Sequence, residues 1–167
     1  FANVVLLCHF DGADGGTTFI DNSNSNHTFL AEGGITTSTV QFKFGTASVI
    51  GDGTNNRLSI SGATTDWNFG TTDFTIECWV YPNTSAAFGI FSFVDTGTVF
   101  LLQGGTDKLQ AYGPVPDLTT TGTVATGAWS FVSFSRVSAT LYMSINGATE
   151  NAGTFDVSAS SLTVSPR

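Results

Sequence analysis

The chain has 167 residues, of which 41% are hydrophobic and 13% aromatic, so it can bury a sizeable core and is not a disordered chain. Only 11% of its residues are charged and nineteen are glycine, a composition that excludes a mainly helical protein. The net charge of −8, with only five basic residues, argues against nucleic acid or an anionic membrane as a partner, and no apolar run reaches the ~20 residues of a membrane span.

The first sixty residues predict short strands separated by polar turns. Val4–Phe10 is a nearly continuous apolar run, which predicts a strand covered on both faces. The stretch Asp21–Asn26 predicts a turn, because Asx and Ser side chains hydrogen-bond to nearby backbone. Further short strands are predicted at Phe19–Ile20, Thr28–Leu30, Gln41–Phe44, Ala47–Ile50 and Arg57–Ile60.

The clearest strand pattern covers Asp73–Tyr81, in which apolar Phe74, Ile76, Cys78 and Val80 alternate with a second face that carries Glu77 and Trp79. Asn146-Gly147 is a strong hairpin-turn signal. The remaining predicted strands are Ile90–Val94, Val99–Gln103, Lys108–Tyr112, Trp129–Arg136, Thr140–Ile145, a weak strand after Gly147, Phe155–Val157 and Leu162–Val164.

About a dozen short strands with no helix predict an all-β fold, a two-sheet antiparallel β-sandwich of the jelly-roll type. The composition does not shift along the chain and no linker is visible, so the sequence predicts a single domain over residues 1–167. The chain begins at Phe1 rather than at Met, which is typical of a processed or shortened chain.

Several segments resemble the laminin-G-like branch of the concanavalin A-like lectin/glucanase superfamily. The most similar is Phe69–Pro82, which includes Thr75-Ile76-Glu77-Cys78-Trp79. The others are Leu7–Gly12, Thr18–Ser23, Lys43–Ser48, Gly53–Leu58, Trp129–Val132 and Leu141–Gly147. The resemblance spans nearly the whole chain and implies the concanavalin A-like sandwich, but its motifs are structural and imply little about function.

The sequence departs from this family at its C-terminal end. Such domains close with a strand that pairs with the first, whereas this chain ends at Ser165-Pro166-Arg167 without that segment. Either the chain is truncated or another segment completes the sheet. A bare apolar edge at Val4–Phe10 would promote aggregation, so we expect it to pair with Leu162–Val164 or with a strand of another subunit in a homo-oligomer.

No catalytic residues are predicted. The glucanases of this superfamily carry Glu-x-Asp-x-x-Glu on one strand. Here Glu77 is followed by Trp79 where that motif has Asp and by Pro82 where it has the second Glu. Glu77 is therefore interpreted as a polar residue on the outward side of its strand. His9 follows an apolar strand and is interpreted as structural, and His27 lies in a polar turn and is interpreted as solvated.

No cofactor is predicted, although calcium remains an alternative. Asp21, Ser23, Ser25 and Glu32 have the spacing of a calcium loop, but Asn26 replaces its glycine and flanking helices are absent. The family resemblance also implies a looser site at loop aspartates, which would be Asp11, Asp14, Asp21, Asp52 and Asp66; the alternative is solvated turn residues.

The candidate carbohydrate-binding residues are Asp66, Trp67, Asn68 and Tyr112, with Tyr81 as a further candidate ring, because an exposed aromatic ring beside Asp or Asn suits a sugar. The alternatives are that Trp67 plugs a loop and that Tyr112 packs at a rim. Trp79 and Trp129 resemble core positions of the family. Cys8 and Cys78 are interpreted as buried small hydrophobic residues, with a disulfide between them as the alternative.

Two functions remain open. The first is a non-enzymatic, adhesive module on a virion surface, because Lys-poor, Gly/Thr/Ser-rich laminin-G-like domains of this kind resemble those of bacteriophage capsid decorations, tail appendages and fibres. Its partners would be other virion subunits or host-surface glycans. The second is a calcium-assisted, lectin-like glycan-binding domain of an extracellular protein.

Overall fold

The computed structural model describes residues 2–54, 56–61, 64–67, 69–93, 98–113 and 117–154. They form twelve strands and one short 3₁₀ helix, and every strand pair is antiparallel, which confirms the predicted all-β class. The described residues divide into two compact units, one up to residue 66 and one from residue 67 onwards. We call them the N-terminal and C-terminal units. The single domain over residues 1–167 stays a prediction.

The N-terminal unit contains two small antiparallel ribbons. β1 pairs with β4, and β2 pairs with β3. At the end of the first ribbon, the Glu32 carboxylate accepts hydrogen bonds from Arg57 and Ser59 on the neighbouring strand. The bounds of these strands are β1 Thr28–Glu32, β2 Thr36–Ser38, β3 Ser48–Ile50 and β4 Arg57–Ser61.

The predicted strand at Val4–Phe10 is wrong. The segment forms no ladder, because its polar backbone groups bond to the turn that follows. The Leu7 amide donates to Asp21 Oδ1 at 3.0 Å, and the Leu7 carbonyl accepts from the Asn22 amide at 2.7 Å. Since Val4–Phe10 is not a strand, it presents no strand edge that another strand would have to cover. The suggested neighbour Leu162–Val164 lies outside the described residues.

The predicted strand at Gln41–Phe44 is also absent, and the chain bends repeatedly there. The predicted turn at Asp21–Asn26 is confirmed, because Asp21 Oδ1 accepts from the Ser23 amide at 2.8 Å and Ser23 Oγ accepts from the Ser25 amide at 3.2 Å. Side chains thus take over much of the hydrogen bonding that a strand ladder would supply.

The C-terminal unit contains two four-stranded antiparallel sheets. Sheet I has the order β12-β11-β10-β5, and sheet II has the order β6-β7-β8-β9. The strand bounds are β5 Phe74–Val80, β6 Phe88–Phe93, β7 Thr98–Gln103, β8 Lys108–Tyr112, β9 Leu118–Thr119, β10 Ser130–Val137, β11 Thr140–Ile145 and β12 Ala148–Thr154. The predicted strands between residues 73 and 145 are therefore confirmed to within a few residues, and those at Phe155–Val157 and Leu162–Val164 lie outside the described residues.

The two sheets of the C-terminal unit face each other across an apolar core. Period-two alternation sends Val132, Phe134 and Met143 of sheet I inward, and all three are fully buried. The ring of Phe134 lies 4.7 Å from that of Phe100 on sheet II. This contact makes the unit a sandwich, as the sequence predicted.

The Asn146-Gly147 turn between β11 and β12 is confirmed. Both residues have positive φ, 52° and 83°, as a two-residue hairpin turn requires. The Asn146 side chain also accepts a hydrogen bond from the Phe131 amide at 2.9 Å. The turn therefore fixes the register of β11 and β12 and is tied to β10.

A buried arginine supports one end of sheet I. Arg136 points inward from β10, lies 5.1 Å from the Phe74 ring and is 1% exposed. Its Nη2 donates to the carbonyl oxygens of Gly70, at 2.9 Å, and Thr72. Burial lowers the pKa of this guanidinium, and the charge of Asp73 partly opposes that shift. The cation thereby holds the turn that leads into β5.

Candidate functional site

The aromatic residue of the predicted Asp66–Asn68 sugar site is buried. Trp67 is only 2% exposed, and its ring lies 5.7 Å from that of Phe91, so it offers no free face for stacking. Asn68 lies outside the described residues. The loop-plug alternative fits the burial of Trp67, whose ring packs beside that of Phe91.

Asp66 faces a histidine. Its Oδ2 lies 3.4 Å from Nε2 of His27, which is buried, so the interpretation of His27 as solvated is wrong. The His27 amide donates to Asp21 Oδ2 at 2.9 Å, and this bond holds the residue inside its turn. His9, interpreted as structural, is exposed because the strand that was to bury it does not form.

A surface pocket of about 350 Å³ adjoins this turn and is lined by residues 17–21 and 26–29. Its one carboxylate, Asp21, already accepts hydrogen bonds from Leu7, Ser23 and His27. Burial raises the pKa of Asp21, but these hydrogen bonds outweigh it and bring the pKa below its ordinary value of 3.8. Asp21 therefore organises the turn and has little capacity left for a ligand.

Tyr112, the fourth predicted residue, is 52% exposed at the end of β8. Alternation places it on the outward side of sheet II with Lys108 and Gln110. Its ring is accessible, as sugar stacking requires, so Tyr112 marks an alternative sugar-binding position on sheet II.

The aspartates considered for calcium are engaged within the N-terminal unit. Asp11 accepts from the Thr46 amide at 2.6 Å, Asp14 accepts from the Thr39 amide at 3.0 Å, and Asp52 accepts from the Thr54 amide at 2.8 Å. Among the described residues, no three His, Cys, Asp or Glu side chains converge as a metal site requires. Calcium binding stays the alternative that the family resemblance implies.

Both cysteines are free thiols. Burial, helped by the charge of Asp21, raises the pKa of Cys8 to about 12. Burial, helped by the charge of Glu77, raises the pKa of Cys78 to about 12 as well. Neither is an activated nucleophile, because a reactive cysteine needs a lowered pKa.

The most distinctive surface of the C-terminal unit is the outward side of sheet I. Residues that alternate with the buried core positions point away from sheet II, and they carry aromatic rings, hydroxyls and one carboxylate. We call this surface the outer face. On β5, β10 and β11 it comprises Thr75, Glu77, Trp79, Phe131, Ser133, Ser135, Thr140, Tyr142 and Ser144, together with the aliphatic Val137.

Aromatic rings occupy two opposite regions of the outer face. Trp79 is 37% exposed and lies opposite Phe131 in the strand register, with ring centroids 5.5 Å apart. The expectation that Trp79 is a core residue is therefore wrong, and Trp129 is half-buried beside Tyr81, 5.4 Å away. Tyr142, 39% exposed, lies two strands away from β5.

Hydroxyls and a carboxylate lie between these rings. Ser133 and Ser144 share a hydrogen bond of 2.7 Å across β10 and β11, and Thr75 and Ser135 share one of 3.1 Å across β5 and β10. Glu77 is exposed, as predicted, and lies opposite Ser133 in the register. Tyr142 lies level with Thr75 in the register, four residues or ~13 Å along the strands from Trp79. Across the sheet, β5 and β11 are a further ~10 Å apart.

Such a surface suits a flat polyhydroxylated ligand. The negative face of an indole attracts the C–H groups of a sugar ring, and a carboxylate and serine hydroxyls can bond its hydroxyls. Sequence analysis missed this site because it took Trp79 for a core residue. The available signal was the alternation, which places Trp79 on the same side as Glu77 and opposite to Cys78.

The profile of a family described as the concanavalin A-like lectin/glucanases superfamily matches residues 52–166. Domain 4 of AbnA, a GH43 extracellular arabinanase from Geobacillus stearothermophilus whose structure was solved in complex with arabinotriose, is similar in structure. The TM-score is 0.53 with 18% identity, over 80% of this chain and 68% of that chain, so the likeness concerns the fold. No curated protein matches this chain in sequence.

Proposed function

The chain belongs to the concanavalin A-like lectin/glucanases superfamily, and from that premise we propose that it is a non-enzymatic module that binds a glycan on its outer face. The observation that carries the proposal is the exposed Trp79 beside Phe131 and Glu77 on a face otherwise lined with hydroxyls. Stacking and hydroxyl recognition are then available on one rigid surface.

The rigidity of this surface favours binding. Trp79, Glu77 and the serines stand on strands of the four-stranded sheet I, whose inward side is packed against Phe100 of sheet II. A preorganised face loses less conformational entropy when a ligand binds. The similar domain of the arabinanase, solved with arabinotriose, supports the idea that this fold suits oligosaccharides.

Catalysis is not part of the proposal. A retaining glycosidase needs two carboxyl groups roughly 5 Å apart, and an inverting one needs two at roughly 6.5–9.5 Å. Among the described residues, the outer face carries one carboxylate, Glu77. The Glu150 carboxylate is held by Thr121 and by the Gly122 amide, at 3.1 and 2.8 Å.

We place the module on an extracellular surface, where glycans are the available ligands. The described residues include no helix with the length and hydropathy that a membrane crossing requires. A bacteriophage particle that touches host glycans is the setting that the resemblance to laminin-G-like domains of virion proteins implies. Mass spectrometry of purified particles tests that setting, and absence of the chain from all of them would contradict it.

A glycan array, followed by affinity measurement on the best ligand, tests the function. We expect Trp79→Ala to weaken binding at least tenfold, about 1.4 kcal/mol, because it removes the stacking surface. Tyr112→Ala is the matched control: it also truncates an exposed aromatic residue, but on sheet II, and should leave the affinity unchanged. A chelator should have no effect.

Three results would contradict the proposal. Absence of any ligand on a broad array would remove the function. Loss of binding in Tyr112→Ala, with normal binding in Trp79→Ala, would move the site to sheet II. Loss of binding in the presence of a chelator would favour the alternative, a calcium-assisted lectin-like domain.

A further inference from the structure

The charge of the outer face indicates which glycans it accepts. Resting on the proposed function, we infer that Glu77 makes the site selective for uncharged glycans and excludes polymers that carry uronate or sulfate groups. Glu77 is then a specificity-determining residue, and Trp79 supplies the affinity.

The first support is the absence of a cation on this surface. Among the described residues, the outer face contains no Lys or Arg. In the described part of the C-terminal unit, Lys108 lies on the outward side of β8 in sheet II, and Arg136 points inward and is buried. An acidic glycan would therefore find no basic partner here, whereas recognition of carboxylate or sulfate normally uses Arg or Lys.

The second support is the position of Glu77 in the middle of the face. It stands two residues from Trp79 on the same side of β5, ~7 Å along the strand. It also lies opposite Ser133, whose hydroxyl is shared with Ser144 at 2.7 Å. A ligand that stacks on Trp79 therefore passes close to this carboxylate.

The chemistry of a carboxylate then sets the preference. An ionised carboxylate accepts hydrogen bonds and donates none, so it pairs with sugar hydroxyls but not with another carboxylate or a sulfate. At ~7 Å and an effective dielectric constant between those of water and a protein surface, like charges repel enough to change an affinity by threefold or more. The repulsion weakens as salt rises, because the Debye length shortens.

Matched pairs of polymers and variants test the inference. The probes are arabino-oligosaccharides and cello-oligosaccharides as uncharged ligands, and polygalacturonate and carrageenan oligosaccharides as anionic ones, at low and at high salt. Wild type should bind an uncharged ligand at least tenfold more tightly than the anionic ones. Glu77→Gln keeps a hydrogen-bonding side chain without the charge, and should raise the ratio of anionic to uncharged affinity threefold or more at low salt.

Asp117→Asn controls for net charge. It removes one negative charge at an exposed residue just before β9 of sheet II, away from the outer face, and should not change the selectivity. Equal binding of both polymer classes, or preference for the anionic class, overturns the inference and leaves glycan binding intact. An Asp117→Asn effect equal to that of Glu77→Gln would also overturn it. If wild type binds none of these probes and no other glycan, the proposed function fails, and the inference fails with it.

Discussion

The two units of the chain are stabilised in different ways. In the C-terminal unit, eight strands form two antiparallel sheets, and the sheets bury a core that includes Phe100, Phe134 and Leu141. In the N-terminal unit, two ribbons are joined by loops whose backbone groups bond to side chains, above all to Asp21 and Asp11. One unit depends on apolar packing and the other on individual hydrogen bonds to carboxylates.

This difference predicts different weaknesses. Apolar packing is insensitive to pH but is lost when a core side chain is truncated. Hydrogen bonds to a carboxylate fail when that group is removed or protonated. All tryptophans and tyrosines, six residues in total, lie between residues 67 and 142, so intrinsic fluorescence reports on the C-terminal unit alone. NMR amide signals report on both units separately.

The largest expected effect is on the core of the C-terminal unit. Phe134→Ala removes a fully buried ring that packs against Phe100, and should lower the free energy of unfolding by about 3–5 kcal/mol. Denaturant unfolding followed by tryptophan fluorescence measures it. Ser135→Ala, the next residue on the outer face, is the control and should cost less than about 1 kcal/mol. Equal effects of both variants would contradict the packing account.

A smaller effect, confined to the N-terminal unit, is expected for Asp21→Ala. The variant leaves the amides of Leu7, Ser23 and His27 without their acceptor, and should cost about 1–3 kcal/mol. Amide hydrogen exchange should accelerate at residues 5–30 while exchange in β10 and β11 is unchanged. Asp14→Ala, an exposed acceptor for Thr39 only, is the control and should have little effect. Unaltered protection around Leu7 in Asp21→Ala would refute this role.

The smallest of the expected effects is a gradual loss of stability of the N-terminal unit in acid. The carboxyls with lowered pKa values are Asp11, mainly through the Thr46 amide, Asp52, mainly through Asn56, and Asp21, where hydrogen bonds outweigh burial. All three lie in this unit. A carboxyl whose folded pKa is below its unfolded value stabilises fully above the unfolded value of 3.8 and loses that stabilisation as pH falls through the folded pKa.

Below about pH 4 we therefore expect N-terminal amide signals to broaden first, while the fluorescence of the C-terminal unit stays native. An HSQC series from pH 6 to pH 2, with fluorescence on the same samples, measures this. Asp21→Ala should remove much of the pH dependence around Leu7. Simultaneous loss of both units would mean that the two are not stabilised separately.

The same contrast explains what the sequence could predict. Period-two alternation identified β5, because one side of that strand is buried and its pairing with β10 is regular. Strand-forming runs bounded by turn signals identified β7, β8, β10 and β11. The prediction of a strand at Val4–Phe10 failed, because an apolar run indicates only that a segment is covered and not that it pairs with another strand. The Leu7 amide donates its hydrogen bond to Asp21 instead of to a neighbouring strand. The burial of His27 had no local signal, since its ring faces Asp66, thirty-nine residues away in the sequence.

The candidate site shows a similar limit. Residue type pointed to an aromatic ring beside polar side chains, which describes both Asp66-Trp67 and Glu77-x-Trp79. Exposure, which decides between them, arises from tertiary packing: Trp67 turns toward Phe91, and Trp79 lies on the outer face. Phe131, Ser133 and Tyr142 could not be predicted as neighbours of Trp79 and Glu77, because their positions depend on how β5, β10 and β11 pair. The sequence of a single strand does not contain that register.

Residue-resolved NMR titration with the best array ligand tests the central claim most directly. The account predicts that the largest shift changes fall on the Trp79 indole N–H and on the amides of Glu77, Phe131, Ser133 and Tyr142, while Tyr112 and the Asp66–Trp67 region do not respond. Changes concentrated at Tyr112 on sheet II, or at the loop aspartates of the N-terminal unit, would contradict glycan binding on the outer face.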